Sequence, residues 1–464
     1  MQQSIYIPIT LVALLSLSAC QNLPTYEKPA VELPGGYAEH KTTISSLDHP
    51  ADLIWWQSFL SDRLRNELAA AINNNLSLKA SEKSLAQATA FYQAQEAGFN
   101  YPKIDANVSA QNLRVNPATL GQTSPAREFE LYQASLSARY QFDLSGSQAQ
   151  TLSALAAKTD YARWQNRANQ QSLVGQWLVS AVLLAKNNAE QTIINQLIAL
   201  QKKQVAIAEQ REALGQGQTL DRLALQTQLK QTESRLPTLV KQQQQLVHLM
   251  NALSGSKTPP NTVKDVSFND FKQTKPPLVI PSVMIQQRPD IMASEALVKA
   301  AHAEYGLSLT RYYPNITLTA STGTQALTTA GLFGAGSAVW GLMAQVTQPL
   351  FDASLPEQEK AALLGFEAAS LHYQQVIVDA MRQVADSLSA IEQDRQTLRL
   401  VEEAELNAQQ LIDITEQQYR LGSASYLQLL SAQQQRIEIS LASINLKAQT
   451  YINQVNLAIA LGSR

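Results

Sequence analysis

The chain has 464 residues, a formal net charge of −2 and only 16% charged residues, against a usual share of about 25%. So weak a charge offers no electrostatic case for nucleic acid, which calls for a basic face or stripe, and the single cysteine excludes an intrachain disulfide. Much of the polar content is uncharged, as in Gln242-Gln243-Gln244-Gln245 and Gln433-Gln434-Gln435, which suits a helical wall wetted without a strong field.

An apolar run from Ile5 to Leu17 closes on Leu17-Ser18-Ala19-Cys20, which resembles a bacterial lipoprotein signal peptide with its lipobox. The resemblance implies that residues 1–19 are removed and that Cys20 carries palmitate-type acylation. Gln21 in the next place is compatible with sorting to the outer membrane. One departure is that no Lys or Arg precedes Cys20, so the terminal amine alone supplies the positive n-region. A buried cysteine in a short N-terminal helix is the alternative. No other segment reaches the roughly 20 apolar residues of a membrane helix. Residues 20–61, with Pro24, Pro29, Pro34 and Gly35-Gly36, read as an extended arm.

A first unit is expected over 62–255. Asp62 opens a helical pattern running to about Ala97, with Leu64, Leu68, Ala71, Ile72 and Leu76 on its apolar spacing. After Pro102 the period changes to two. Ile104, Ala106, Val108 and Ala110 alternate with polar residues, and a second strand puts Tyr132, Ala134, Leu136, Ala138, Tyr140 and Phe142 on one face. The hairpin is expected over about 103–144, and its strands are long enough to cross a bilayer when tilted, which takes about 9 to 11 residues. From Ser145 to Leu214 there is no proline, so about 70 residues could form one rod roughly 100 Å long at 1.5 Å per residue. The rod reverses at Gly215-Gln216-Gly217, giving a helical hairpin over about 146–253. Pro237 should kink the returning helix, whose seam is Leu225, Leu229, Leu236, Leu239, Leu246, Met250 and Leu253.

Residues 256–287 are rich in Pro, Thr and Lys and read as an irregular linker. A second unit follows over 288–464, with a β-hairpin at about 315–351 and a helical hairpin at about 357–461. Ile316, Leu318 and Ala320 share one strand face, and Trp340, Leu342, Ala344, Val346 and Leu350 share that of its partner. Aromatic residues near the strand ends, Tyr132, Tyr140, Phe142, Trp340 and Phe351, are what an interfacial girdle supplies. The last helix carries the seam Leu427, Leu430, Ile437, Leu441, Ile444, Tyr451 and Val455.

The two units repeat one plan. Leu214, Gly215, Leu220 and Gly255 recur 207 residues later as Leu421, Gly422, Leu427 and Gly462. Tyr101-Pro102 returns as Tyr313-Pro314, and Gln141-Phe142-Asp143-Leu144 returns loosely as Leu350-Phe351-Asp352-Ala353. Four strands cannot close on themselves, and an open sheet in a bilayer would strand edge amides and carbonyls at several kcal/mol each. Bacterial barrels begin at about eight strands, so a dimer or a trimer could close. The small polar set Ser135, Ser137, Thr317, Thr319 and Ser321 favours an open bore and hence the trimer.

The lipobox, the 207-residue repeat, Arg288-Pro289-Asp290 at the start of the second copy, the Tyr-Pro before each hairpin and the Tyr419-Arg420-Leu421-Gly422 turn together resemble the TolC-like outer-membrane efflux protein family, in its lipoprotein (OprM/NodT-like) branch. The resemblance implies a mixed α and β membrane protein, a homotrimer with a 12-stranded β-barrel continuous with a periplasmic α-helical barrel. Such a protein is a passive exit duct for drugs or other small toxic molecules. Implied partners are outer-membrane lipids, a periplasmic adaptor (membrane fusion) protein and an inner-membrane transporter of the resistance-nodulation-division or major-facilitator type. The rival from another class is an envelope-spanning coiled-coil lipoprotein without channel activity.

The same resemblance places adaptor docking on the helical turns, Leu214, Gly215, Gly217, Leu421 and Gly422, and a periplasmic gate just beyond them. Its apolar ring falls on Leu427, with Leu220 and Leu430 as companions. The family's usual aspartate falls on Ser431 and its frequent basic residue on Gln434, so that charged latch is missing here. Asp221 is the nearest carboxylate at a tip, and an ordinary first-turn role against the helix dipole is its alternative.

No catalytic chemistry, cofactor or metal is expected. The five histidines, His40, His49, His248, His302 and His372, have no ligand spacing. His302-Ala303-Glu304 lacks the Pro-Cys-x-x-Cys partner of a zinc deaminase. Gly331-Leu332-Phe333-Gly334-Ala335-Gly336 lies between two expected strands, which suits an extracellular loop and not a phosphate cradle.

Overall fold

A computed structural model describes residues 24–30, 55–116, 125–255, 264–272 and 288–462. Cys20, the lipobox, His40, His49 and the centre of the first hairpin loop lie outside these residues. The described elements, in chain order, are α1 (Trp55–Phe59), α2 (Asp62–Asn74), α3 (Leu76–Asn100), β1 (Lys103–Val115), β2 (Arg127–Phe142), α4 (Ser147–Ala213), α5 (Thr219–Glu233), α6 (Arg235–Leu253), α7 (Pro289–Thr310), β3 (Asn315–Ala326), β4 (Ala338–Thr347), α8 (Leu355–Arg420) and α9 (Tyr426–Ala460). They form two compact units. The first comprises the described residues within Met1–Ala30, Ser84–Arg163 and Ala293–Gln374, and the second the other described residues.

The first unit holds one antiparallel sheet in the order β1-β2-β3-β4. Its register joins the two copies edge to edge: Ile104 faces Ala138, Ala138 faces Ala320, and Ala320 faces Leu342. Because side chains alternate with period two, Ile104, Val108, Leu136, Phe142, Trp340, Leu342 and Val346 share one face, and all are exposed. The other face carries Asn107, Ser135, Ser137, Thr319 and Ser321. Gly323 is needed where β2 and β3 approach, since a Cβ there would stand 2.3 Å from the Ala134 carbonyl oxygen. β4 ends at Thr347, so Leu350 and Phe351, expected in that strand, lie beyond it. Pro349 has no N–H to continue the ladder.

The repeated aspartates start helices. Asp143 accepts from the Ala149 N–H (3.1 Å), and Asp352 accepts from the Ser354 N–H (2.9 Å). Also in this unit, the arm segment 24–30 is pinned to α7. Lys28 Nζ and Lys299 Nζ both donate to Glu295, at 2.6 and 2.9 Å. Burial pushes the Glu295 carboxyl up, but these two ammonium groups outweigh it and hold it below the usual range.

The second unit contains the main apolar core, built from Phe59, Leu64 and Leu68, from Trp177 to Ala185 of α4, and from Met250, Tyr451 and Val455. Residues 55–59, expected within the extended arm, form α1 instead, and buried Trp56 and Phe59 anchor it. The described part of the linker is also core. Val266 and Phe271 are buried, Leu60 bridges to Phe271, and Asp270 accepts from Ser61 Oγ (3.0 Å) and Arg63 Nη2 (2.8 Å). Gly175, in mid-helix, is where Ile459 packs: a Cβ would meet Ile459 Cδ1 at 2.2 Å.

Two expected single helices are divided. The pattern from Asp62 to Ala97 breaks at Asn75, which ends α2 in an extended conformation (ψ 124°) and caps α3 by accepting from the Leu78 N–H at 2.8 Å. The helix carrying Pro237 breaks at Ser234, because the proline ring would collide with the carbonyl four residues back, at Glu233. A pair of tethers repeats at the helix ends: Asn75 Nδ2 donates to the Leu253 carbonyl (2.7 Å) and Arg288 Nη1 to the Ala460 carbonyl (2.7 Å). Leu253 and Ala460 are 207 residues apart. Both carbonyls belong to last turns that have no intrahelical donor.

Candidate functional site: hairpin tips and sheet faces

Both tips of the helical hairpins are built by the same backbone device. Gly215 and Gly422 have φ of 70° and 76°, the left-handed region that glycine enters without a Cβ penalty. The Gln216 N–H donates to the Arg211 carbonyl (2.8 Å) and the Ser423 N–H to the Gln418 carbonyl (2.9 Å). The glycine N–H groups reach Glu212 and Tyr419 at 2.9 and 3.0 Å, completing a Schellman motif at each helix end. Nothing lies within 4 Å of a Cβ built at either glycine, so backbone conformation alone selects them. Gly217 differs: its φ is not positive, and a Cβ would crowd the Glu212 nitrogen at 3.0 Å. Gly255 and Gly462 repeat the positive φ at the returning ends.

Side chains make the tips unlike. At the first, Glu212 accepts from Thr219 Oγ1 (2.6 Å) and Arg222 Nε (2.5 Å), while Arg222 Nη1 reaches Gln226 (3.0 Å). The Thr219 hydroxyl, then Arg222, hold the Glu212 carboxyl below its ordinary range. At the second, Ser425 and Gln428 form a capping box (3.2 and 2.7 Å), and the rings of Tyr419 and Tyr426 meet at 5.3 Å. The clasp at Glu212 and Arg222 was not legible as a site, because ten residues and a turn separate its members.

Each expected gate and docking residue has a definite place. Leu214, Leu220 and Leu421 are exposed, the last at 84%. Leu427 projects with 53% exposure, whereas Leu430, three residues on, is 2% exposed. Leu430 therefore packs inside its own chain and supports the helix from behind. Asp221 and Ser431 are both exposed. Gln434, at the position of the family's frequent basic residue, accepts from Gln228 Nε2 at 3.2 Å, so an amide pair links the two helical hairpins there. Among the described residues no group of His, Cys, Asp or Glu could hold a metal ion, and no helix is long and apolar enough to cross a membrane.

A sheet with one apolar and one largely polar face is thus joined in sequence to two long helical hairpins. Residues 280–463 match the family model described as Outer membrane efflux protein, and relatives that match nearly the whole chain carry the likeness through its first half. The chain is similar to the solvent efflux pump outer membrane protein SrpC of Pseudomonas putida, 27% identical over 98% of this chain and 97% of that one. It is equally similar to the outer membrane protein OprJ of Pseudomonas aeruginosa, 27% identical over 97% and 94%. A crystal structure of a membrane protein from Pseudomonas aeruginosa matches with a TM-score of 0.81 at 25% identity, covering 96% of this chain and 98% of that one.

Proposed function

We propose that the chain is the outer-membrane exit duct of a tripartite efflux pump, passively conducting drugs or other small toxic molecules from the periplasm to the outside. The observation that carries it is the register of the sheet. One face exposes Trp340 at 83% together with Leu136, Leu342 and Val346, a surface costly in water at about 25 cal/mol per Å². The opposite face is largely polar between its ends, with Asn107, Ser135, Ser137, Thr319 and Ser321, and the outer edges of β1 and β4 have no partner in the sheet. Lipid against the first face, solvent along the second and neighbouring copies at the edges satisfy all three. A homotrimer closes such a sheet into a twelve-stranded barrel, with palmitate-type acylation of Cys20 as a second anchor.

In this assembly Leu214, Gly215, Gly217, Leu421 and Gly422 form the surface for a periplasmic adaptor protein, which links the duct to an inner-membrane transporter of the resistance-nodulation-division or major-facilitator type. Three copies of Leu427, with Leu220, close the duct as a dry apolar neck. Leu430 backs them from inside the hairpin, and Asp221 and Ser431 flank the constriction. The test is single-channel recording of the purified full chain in planar bilayers, as wild type and as Leu427→Ser. Ion-conducting steps are expected, larger in the variant. A trimer that conducts in neither form would overturn the duct and leave a coiled-coil envelope brace.

A further inference from the structure

The polar face of the sheet is not uniformly neutral. Lys103 and Arg139 stand directly opposite each other on β1 and β2, and like charges so placed destabilise a strand pair. Arg139 has no carboxylate partner among the described residues, and Lys103 has only Asp105, exposed and 3.5 Å away. The two cations enter one cavity of about 190 Å³. Its other polar side chains are the amides of Gln95, Gln141 and Gln148 and the phenols of Tyr101 and Tyr140, with no carboxylate. Lys103 lies three residues after the end of α3 and Arg139 three residues before the end of β2 at Phe142, so both sit where the strands join the helices. On the same face, β3 and β4 present Thr319, Ser321, Gly341 and Gln345, all uncharged.

We infer that Lys103 and Arg139 form a cationic collar at the helix-proximal mouth of the bore, a site for small anions that gives the duct an anion preference. The inference rests on the duct and trimer proposed above. Three chains set six cations around one ring, offset by three Asp105 carboxylates, which leaves the ring positive. Rings of charged side chains select counter-ions as they pass. The unfavourable facing pair is thereby explained, since Lys103→Gln or Arg139→Gln would relieve it at no cost in packing for side chains this exposed.

The experiment measures reversal potentials of the full-length trimer in planar bilayers under a KCl gradient, in wild type and in a Leu427→Ser background. Low salt is used because the screening length is about 8 Å at 0.15 M and about 30 Å at 0.01 M. The intact pore should favour chloride. Lys103→Gln with Arg139→Gln should shift the reversal potential toward potassium, Asp105→Asn should shift it the other way, and Arg127→Gln, at the far end of β2, should leave it in place. A conducting pore whose reversal potential is the same with and without the two cations would overturn the collar alone. Absence of conduction in both backgrounds would overturn the duct, and the collar with it.

Discussion

Asn75→Ala should be among the most damaging single substitutions outside the apolar core. Asn75 is buried, and its amide serves two helix ends at once. Oδ1 takes the Leu78 N–H at 2.8 Å and Nδ2 supplies the Leu253 carbonyl at 2.7 Å. Removing an N-cap side chain costs about 0.5–2 kcal/mol. Leaving the part-buried Leu253 carbonyl without its donor costs up to a further ~1–3 kcal/mol, and burial keeps water from replacing the Leu78 bond. The combined loss should be about 1.5–5 kcal/mol. Thermal unfolding of the purified protein should report it as a lowered midpoint, and amide exchange should accelerate first at Leu78 and around Gly255. Asn75→Ser keeps an acceptor for Leu78 but cannot reach Leu253, so it should fall between Ala and wild type. An Ala variant as stable as wild type, or a Ser variant no better than Ala, would refute the two-ended tether.

Gly422→Val forces a β-branched residue to φ 76°, in a region that costs non-glycine residues about 1–2 kcal/mol; trimers should still assemble while drug resistance is lost, and normal resistance would place docking elsewhere. Leu427→Ser should raise single-channel conductance and sensitise cells to large antibiotics such as vancomycin, whereas Ser431→Ala should do little; equal opening by both would mean a polar latch and not an apolar ring. Cys20→Ser should abolish metabolic palmitate labelling while some outer-membrane trimer persists, and undiminished labelling would exclude Cys20 as the acylated residue. The Glu295 carboxyl is held below 4.5, so its clamp on Lys28 is in place above about that pH and is lost as pH falls through the lower folded value. Protease protection of residues 24–30 should drop in acid, and Glu295→Gln should remove that dependence.

Much of this architecture was legible because the signals were periodic. Alternation gave the faces of all four strands, and the 207-residue repeat picked out Gly215, Gly255, Gly422 and Gly462, which share a left-handed conformation. The losses came where one residue outweighs a pattern. Asn75 breaks a helix whose apolar spacing continues across it, since a cap is a local hydrogen bond and leaves periodicity intact. The linker's Pro, Thr and Lys content hid Val266 and Phe271, two apolar anchors that burial alone reveals. Leu427 and Leu430 occupy one seam in sequence, yet near a helix tip a turn of roughly 300° between them separates an exposed residue from a buried one.

The repeat conserves backbone geometry more strictly than side-chain chemistry. One carbonyl is held by the neutral amide of Asn75. Its counterpart is held by Arg288, whose guanidinium is also bonded to Asp290 (2.6 Å) and Gln383 (3.0 Å). The tips divide in the same way: Glu212 and Arg222 clasp the first, while the tilted rings of Tyr419 and Tyr426 meet at the second. Three chains would therefore show an adaptor six turns of one shape and two chemistries, alternately charged and aromatic. A helical hairpin docking on such a ring meets unlike neighbours at successive positions, so its binding to the two kinds of turn cannot be equal. Arg222→Ala and Tyr419→Ala should accordingly weaken adaptor crosslinking to different extents and at different crosslink positions, and identical losses at both would show that shape alone is read.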